Sequence, residues 1–261
     1  MTHQARKRFG QNFLHDPNII NRIIQCVAPR AEDQMIEIGP GQGAITVPLL
    51  AAAGKLQVIE LDRDLIKPLQ HTCDHNDALQ IFNQDALAFD FRQLFQSKLL
   101  RIVGNLPYNI STPLLFHLIS QASVIKDMHF MLQKEVVTRL AAPPETRNYG
   151  RLSVMIQYYC EVIPLFSIGP GAFNPPPKVD SGFVRLIPHS KPPVHVVNIK
   201  TFEQLVKQSF AQRRKTLHNN LRGVLEDAQI ISAGVNPSAR AETLSLSDFA
   251  ALANQVQEEN S

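Results

Sequence analysis

The 261 residues hold 26 Lys and Arg against 23 Asp and Glu, a formal net charge of +3 with a pI near 8.8. That balance permits nucleic-acid binding without demanding it, so the distribution of charge has to decide. Hydrophobic residues at 44% and charged residues at 19% exclude a disordered chain and allow an ample core.

Near the start, Arg6-Lys7-Arg8 is followed by no apolar run, so no signal peptide is expected. Asp16-Pro17 predicts a helix start, a capping carboxylate followed by proline at the first helical position. Ile19, Ile20, Ile23, Ile24 and Val27 then fall on one helical stripe. Four short apolar runs, at 35–38, 56–61, 79–82 and 99–103, alternate with longer segments. The most apolar stretch, 44–53, is too short to span a bilayer and contains Thr46 and Pro48. A fifth run, 128–132, follows a helix expected over 113–120. This rhythm predicts an α/β fold, a mostly parallel doubly wound sheet with helices on both faces.

After Tyr149-Gly150 the pattern changes. Residues 158–168 and 181–187 read as two strands joined by the loop Asn174-Pro175-Pro176-Pro177, an antiparallel pair at the sheet edge. Residues 189–200 read as a linker, and the remainder as a small all-α domain. There Thr201-x-x-Gln204 is a capping-box candidate for a stripe running from Phe202 to Leu221. Asn236-Pro237 and Ser245-x-x-Asp248 mark two further helix starts. The expected division is a first domain over 1–190, its arm at about 1–16, and a helical second domain over 191–261. Cys26, Cys73 and Cys160 lack paired spacing, which predicts reduced thiols in a cytosolic protein and no metal site.

The first strand ends in Glu37-Ile38-Gly39-Pro40-Gly41-Gln42-Gly43-Ala44, glycines that let backbone approach a ligand. With Glu60 downstream, the pattern fits a dinucleotide site. Glu37, however, would repel a pyrophosphate and suits the cationic S-adenosylmethionine. No Gly-Lys-Ser/Thr follows, which excludes a P-loop. In doubly wound sheets ligands sit beyond the carboxyl ends of strands, and Glu37, Gly39, Glu60, Asp85 and Asn105 all fall there. Glu60 can chelate two ribose hydroxyls, and Asp85 can accept from an adenine amine. Asn105-Leu106-Pro107-Tyr108 then sets an amide, a proline carbonyl and an aromatic face around one planar nitrogen. Read by itself, that motif is also an ordinary strand end with a Pro turn.

Seven stretches carry a resemblance: Gly10-Gln11-Asn12-Phe13-Leu14, Glu37 to Gly41, Val58-Ile59-Glu60-Leu61-Asp62, Asn105 to Pro113, Met131 to Val137, Tyr149 to Val154, and Pro175-Pro176-Pro177-Lys178-Val179-Asp180-Ser181. In these the chain resembles the KsgA-type family of bacterial small-subunit rRNA adenine-N6,N6-dimethyltransferases. The resemblance implies a class I, Rossmann-like methyltransferase that methylates two adjacent adenosines in the 3′-terminal hairpin loop of 16S rRNA. It implies that Asn12, Leu14, Gly39, Glu60, Asp85 and Asn105, with Glu37 and Gly41 in the same loop, contact S-adenosylmethionine, and the arm with Gln11-Asn12-Phe13-Leu14 is expected to close over it. Tyr108 and Phe173 would sandwich the adenine, with the Pro107 neighbourhood holding its amine. A proline run after Phe173 would hold that ring rigidly.

The implied partner is 16S rRNA in a precursor of the 30S subunit, met by a monomeric cytoplasmic protein with no metal. Arg6, Lys7, Arg8, Arg213, Arg214, Lys215 and Arg222 become candidate phosphate contacts. The related 23S rRNA dimethyltransferases of macrolide resistance share this chemistry. Leu106 and the long Pro175-to-Ser181 match favour the small-subunit type. A non-catalytic RNA-binding assembly factor and a nicotinamide dehydrogenase are the readings from other classes.

Overall fold

The computed structural model describes residues 12–256. Arg6, Lys7, Arg8 and Gln11 lie outside them. The chain divides into two compact units, one reaching Val137 and resuming over Val162–Pro188, the other formed by Thr138–Glu161 and the chain from His189 onward. This differs from the single cut expected at 190. The reason is aromatic packing within the second unit: Tyr158 lies 4.9 Å from Phe202 and Tyr149 6.1 Å from Phe210, centroid to centroid.

The first unit opens with β1 (Phe13–Leu14) and α1 (Pro17–Val27). Asp16 caps α1 as expected, accepting from the Asn18 and Ile19 amides. Next come β2 (Gln34–Ile38), α2 (Thr46–Ala53), β3 (Leu56–Ile59), α3 (Arg63–Thr72), β4 (Leu79–Phe82), β5 (Leu100–Asn105), α4 (Ser111–Ile119) and β6 (Ile125–Gln133). The chain enters the second unit within α5 (Lys134–Leu140), runs through α6 (Arg151–Tyr159) and returns within β7 (Cys160–Ile168). Tyr158, expected to begin that strand, is helical instead. β8 (Phe173–Asn174) and β9 (Ser181–Pro188) complete the unit.

Seven strands form one sheet in the order β4-β3-β2-β5-β6-β9-β7, with β9 antiparallel to β6 and next to the edge strand β7. β2, β3, β4, β5 and β6 are parallel. β2 and β5 are central and buried on both faces, which is why Met35, Ile36, Ile38, Ile102 and Val103 form near-continuous apolar runs. From β2 the chain winds outward to β4, then crosses back to place β5 on the other side. The switch point therefore lies between β2 and β5, where open α/β sheets hold their ligands. At the opposite end of β5 the Arg101 guanidinium binds both Asp127 oxygens, at 2.9 and 3.0 Å, and Asp33 at 2.6 Å.

Gly104 is where β5 needs a missing side chain. A Cβ there would stand 2.7 Å from the Ile38 carbonyl oxygen and 3.0 Å from the Leu106 side chain. Gly104→Ala is therefore expected to cost about 1–3 kcal/mol of stability. Urea denaturation measures this, and an unchanged midpoint would refute the close approach.

In the second unit α7 (Ile199–Ser209) starts earlier than Thr201 suggests: Asn198 is the cap, accepting from the Lys200 and Thr201 amides. The stripe expected to reach Leu221 breaks after Ser209, and Leu217 belongs to a separate turn, α8 (Leu217–Asn220). α9 (Asp227–Ser232) follows. Asn236-Pro237 opens no helix; the Asn236 side chain accepts from the Ser238 amide within a turn. Ser245 and Asp248 do form the expected capping box of α10 (Leu246–Gln255).

Candidate active site

Strand register builds the site. Ile38 pairs with Ile59 and Gly104, and Ile59 with Phe82, so β2, β3, β4 and β5 end together. The residues at or just beyond those ends, Gly39, Glu60, Asp85 and Asn105, line one cavity of about 350 Å³ in the first unit. Asn12, Phe13, Leu14, Glu37, Gly41, Leu106, Pro107 and Tyr108 share its lining. Each side of the chemistry expected from sequence, donor and acceptor, thus faces one space.

Gly39 and Gly41 have φ of 68° and 57°, values that favour glycine. A Cβ at Gly41 would also meet the Phe13 ring at 3.1 Å. The Gly41 amide donates to Glu60 Oε2 at 3.3 Å, and the Asp62 amide to Oε1 at 2.8 Å. Burial raises the Glu60 carboxyl above its usual range, and these two bonds oppose the rise. Asp85 is exposed, with Oδ1 accepting from the Leu87 amide at 2.9 Å.

Glu37 is buried, and its Oε2 has no hydrogen-bond partner among the described residues. Burial pushes its carboxyl up to about 8, Thr46 opposing and the nearby Glu60 adding to the rise. The sign follows directly. A carboxyl raised from an ordinary 4.5 holds its proton in the folded chain while the unfolded chain has lost it. Stability therefore falls as pH rises from about 4.5 to 8, by a few kcal/mol at most. Glu37→Gln is expected to gain on the parent protein over that interval. Urea denaturation of both at pH values on either side checks it, and a constant difference would sink the assignment.

Asn105 Nδ2 donates to the Asn12 carbonyl at 2.9 Å, which leaves Oδ1 as the acceptor of the amide without a partner among the described residues. Leu106 is buried at the cavity wall, its amide donating to the Met131 carbonyl at 3.2 Å. The Pro107 carbonyl takes the Ile110 amide at 3.2 Å and keeps one lone pair. Tyr108 is half-buried, and its hydroxyl lies 2.8 Å from Ser181 Oγ. Burial raises the phenol above its ordinary range.

Phe173 does not line this cavity. It pairs with Leu14 in the two-stranded β1–β8 ladder, is 3% exposed, and packs in the core with Leu14, Ile168, Ala172 and Phe183. Nor does the structure leave Arg213 free: its Nε donates to Glu242 Oε2 at 2.8 Å and its Nη2 to the Arg147 carbonyl. Arg214, Lys215 and Arg222 are exposed, with no ion pair among the described residues. Sequence reasoning gave no role to Ser181, although it lies in a stretch that carried the resemblance.

Comparison with known proteins agrees with the geometry. The model of the family described as ribosomal RNA adenine dimethylase matches residues 2–258. The chain is 56% identical over 251 residues to the ribosomal RNA small subunit methyltransferase A of Nitrosococcus oceani, covering 96% of this chain and 95% of that one. A dimethyladenosine transferase structure from Plasmodium falciparum aligns with a TM-score of 0.79 at 28% identity, covering 92% and 95% of the two chains. The 23S rRNA methyltransferase ErmE shares the fold, with a TM-score of 0.72 at 24% identity over 94% and 99%. Fold and site define a class I, Rossmann-like methyltransferase. Within that class the chain belongs to the ribosomal RNA adenine dimethylase family.

Proposed function

We infer that this protein transfers methyl groups from S-adenosylmethionine to N6 of two adjacent adenosines in the 3′-terminal hairpin loop of 16S rRNA, giving N6,N6-dimethyladenosine. The observation that carries this is one cavity lined both by Gly39, Glu60 and Asp85 and by Asn105, Pro107 and Tyr108. High identity to a small-subunit methyltransferase supports 16S over 23S rRNA.

The residues fit the donor. Glu60 keeps one lone-pair site on each oxygen for ribose hydroxyls, Gly39 and Gly41 give backbone access, and the unpartnered Glu37 oxygen suits a cationic methionine moiety. The bound donor supplies a methyl group on a positively charged sulfur. Asn105 Oδ1 and a backbone carbonyl of the Leu106-Pro107 segment accept the two N6–H bonds. That favours a more pyramidal, more nucleophilic nitrogen. Tyr108 stacks on the base, worth about 1–3 kcal/mol, and offsets the few kcal/mol needed to unstack it. Orientation supplies most of the rate, for which about 7–11 kcal/mol is available. No strong base is needed, since the alkylated amine loses its proton readily.

Arg214, Lys215 and Arg222 are proposed as phosphate contacts in the second unit. The proposed partner is a precursor of the small subunit, met in the cytoplasm by a monomer. The test is methyl transfer to separated subunits lacking the modification, followed by nucleoside mass spectrometry. Dimethyladenosine in small-subunit rRNA alone is the expected result. Transfer only to large-subunit rRNA would overturn the substrate, and tight NAD binding without S-adenosylhomocysteine binding would overturn the class.

A further inference from the structure

We propose that Ser181 is a positioning residue for the target base, acting through the Tyr108 hydroxyl, a role that rests on the active-site reading above. Ser181 opens β9, is 1% exposed, and stands opposite Gln133 of β6 in the ladder. The sheet therefore fixes its hydroxyl, 2.8 Å from that of Tyr108. The other end of Tyr108 is held as well. Its carbonyl accepts from the hydroxyl of Ser111, the buried first residue of α4, at 3.1 Å.

The tyrosine is thus pinned at backbone and ring tip, by a helix start and a strand start. Its two side-chain torsions would otherwise leave the half-buried ring free to swing at the cavity edge. Stacking needs only the ring face, so phenylalanine would serve for that purpose. The transfer itself asks no proton of the phenol, and burial keeps it neutral. Anchoring is what the hydroxyl adds. A ring held at fixed depth beside Asn105 keeps N6 in line with the donor, and in-line geometry is the main source of rate here.

A double-mutant cycle on the full-length protein tests this. The measurement is the methyl-transfer rate constant on small-subunit particles lacking the modification, at saturating donor and particles. Tyr108→Phe and Ser181→Ala are each expected to lower it about 3- to 10-fold. The double variant should fall no further than the lower single one. S-adenosylhomocysteine affinity should stay within about 2-fold throughout, which a general loss of structure would not allow.

Losses that multiply in the double variant, or single variants at the parent rate, overturn the proposal. If Ser181→Ala fails to fold, Tyr108→Phe decides, because it removes the same bond from a half-exposed ring. Tyr108→Ala separates the two levels, with an expected loss of about 5- to 150-fold from stacking. Parent-like activity in Tyr108→Ala would overturn the active-site reading and the Ser181 role together. A large loss there beside parent rates for Tyr108→Phe and Ser181→Ala would remove only the Ser181 role.

Discussion

Asn105→Ala is expected to lower the methyl-transfer rate constant by about 100- to 1000-fold, the usual cost of losing a preorganised polar contact to the reacting centre. The argument starts from the amide's orientation. Nδ2 is committed to the Asn12 carbonyl at 2.9 Å, so Oδ1 is the atom left to meet an incoming N–H. That bond is stronger in the transition state, where N6 develops positive charge, than in the bound adenine. Its loss therefore falls on the rate constant more than on substrate binding. Asn105→Asp keeps an acceptor but loses the donor to Asn12 and sets a carboxylate against that carbonyl, so it should not rescue. Transfer of labelled methyl to particles lacking the modification measures both. Asn105→Ala retaining more than about a tenth of the parent rate would contradict the mechanism.

The site was legible in sequence to the extent that strand ends carry it. β2, β3, β4 and β5 could be placed from short apolar runs, and a parallel sheet aligns their ends, so Gly39, Glu60, Asp85 and Asn105 had to converge. Helix starts were legible where a second signal marks the cap, Pro17 after Asp16 and Asp248 three residues after Ser245. They were misread where two local solutions compete. Thr201 and Asn198 both suit a cap, and the one chosen depends on where the apolar face of α7 meets its neighbours. Asn236 bonded its own turn instead of a helix. Phe173 shows a different limit. An aromatic before a proline run is rigid whether it packs in the core or meets a ligand, and only the tertiary packing shows Phe173 clustered with Leu14 and Phe183. Arg213 is similar, since its partner Glu242 lies far along the chain.

Glu60→Gln is expected to raise the dissociation constant for S-adenosylhomocysteine about 10- to 100-fold, with a much smaller fall in rate at saturating donor. The Glu60 carbonyl is held by Asn83 Nδ2 at 2.7 Å, and its two carboxylate oxygens by the Asp62 and Gly41 amides. A glutamine offers one oxygen and one NH2. Whichever way it turns, a donor faces one of those two backbone N–H groups, and one ribose hydroxyl loses its charged acceptor. Ligand and loop are therefore weakened together. The pH dependence has a definite sign: burial raises the Glu60 carboxyl, so acidification neutralises it sooner than an ordinary glutamate and affinity falls as pH is lowered. Glu60→Gln should flatten that fall. The same substitution at Glu37, which lines the same cavity, is expected to stabilise the free protein at alkaline pH. One carboxylate is held by backbone donors, and the other is buried without a partner for Oε2 among the described residues. Calorimetric titration with S-adenosylhomocysteine across pH distinguishes them, and a Glu60→Gln affinity within about 3-fold of the parent would remove Glu60 from the cofactor site.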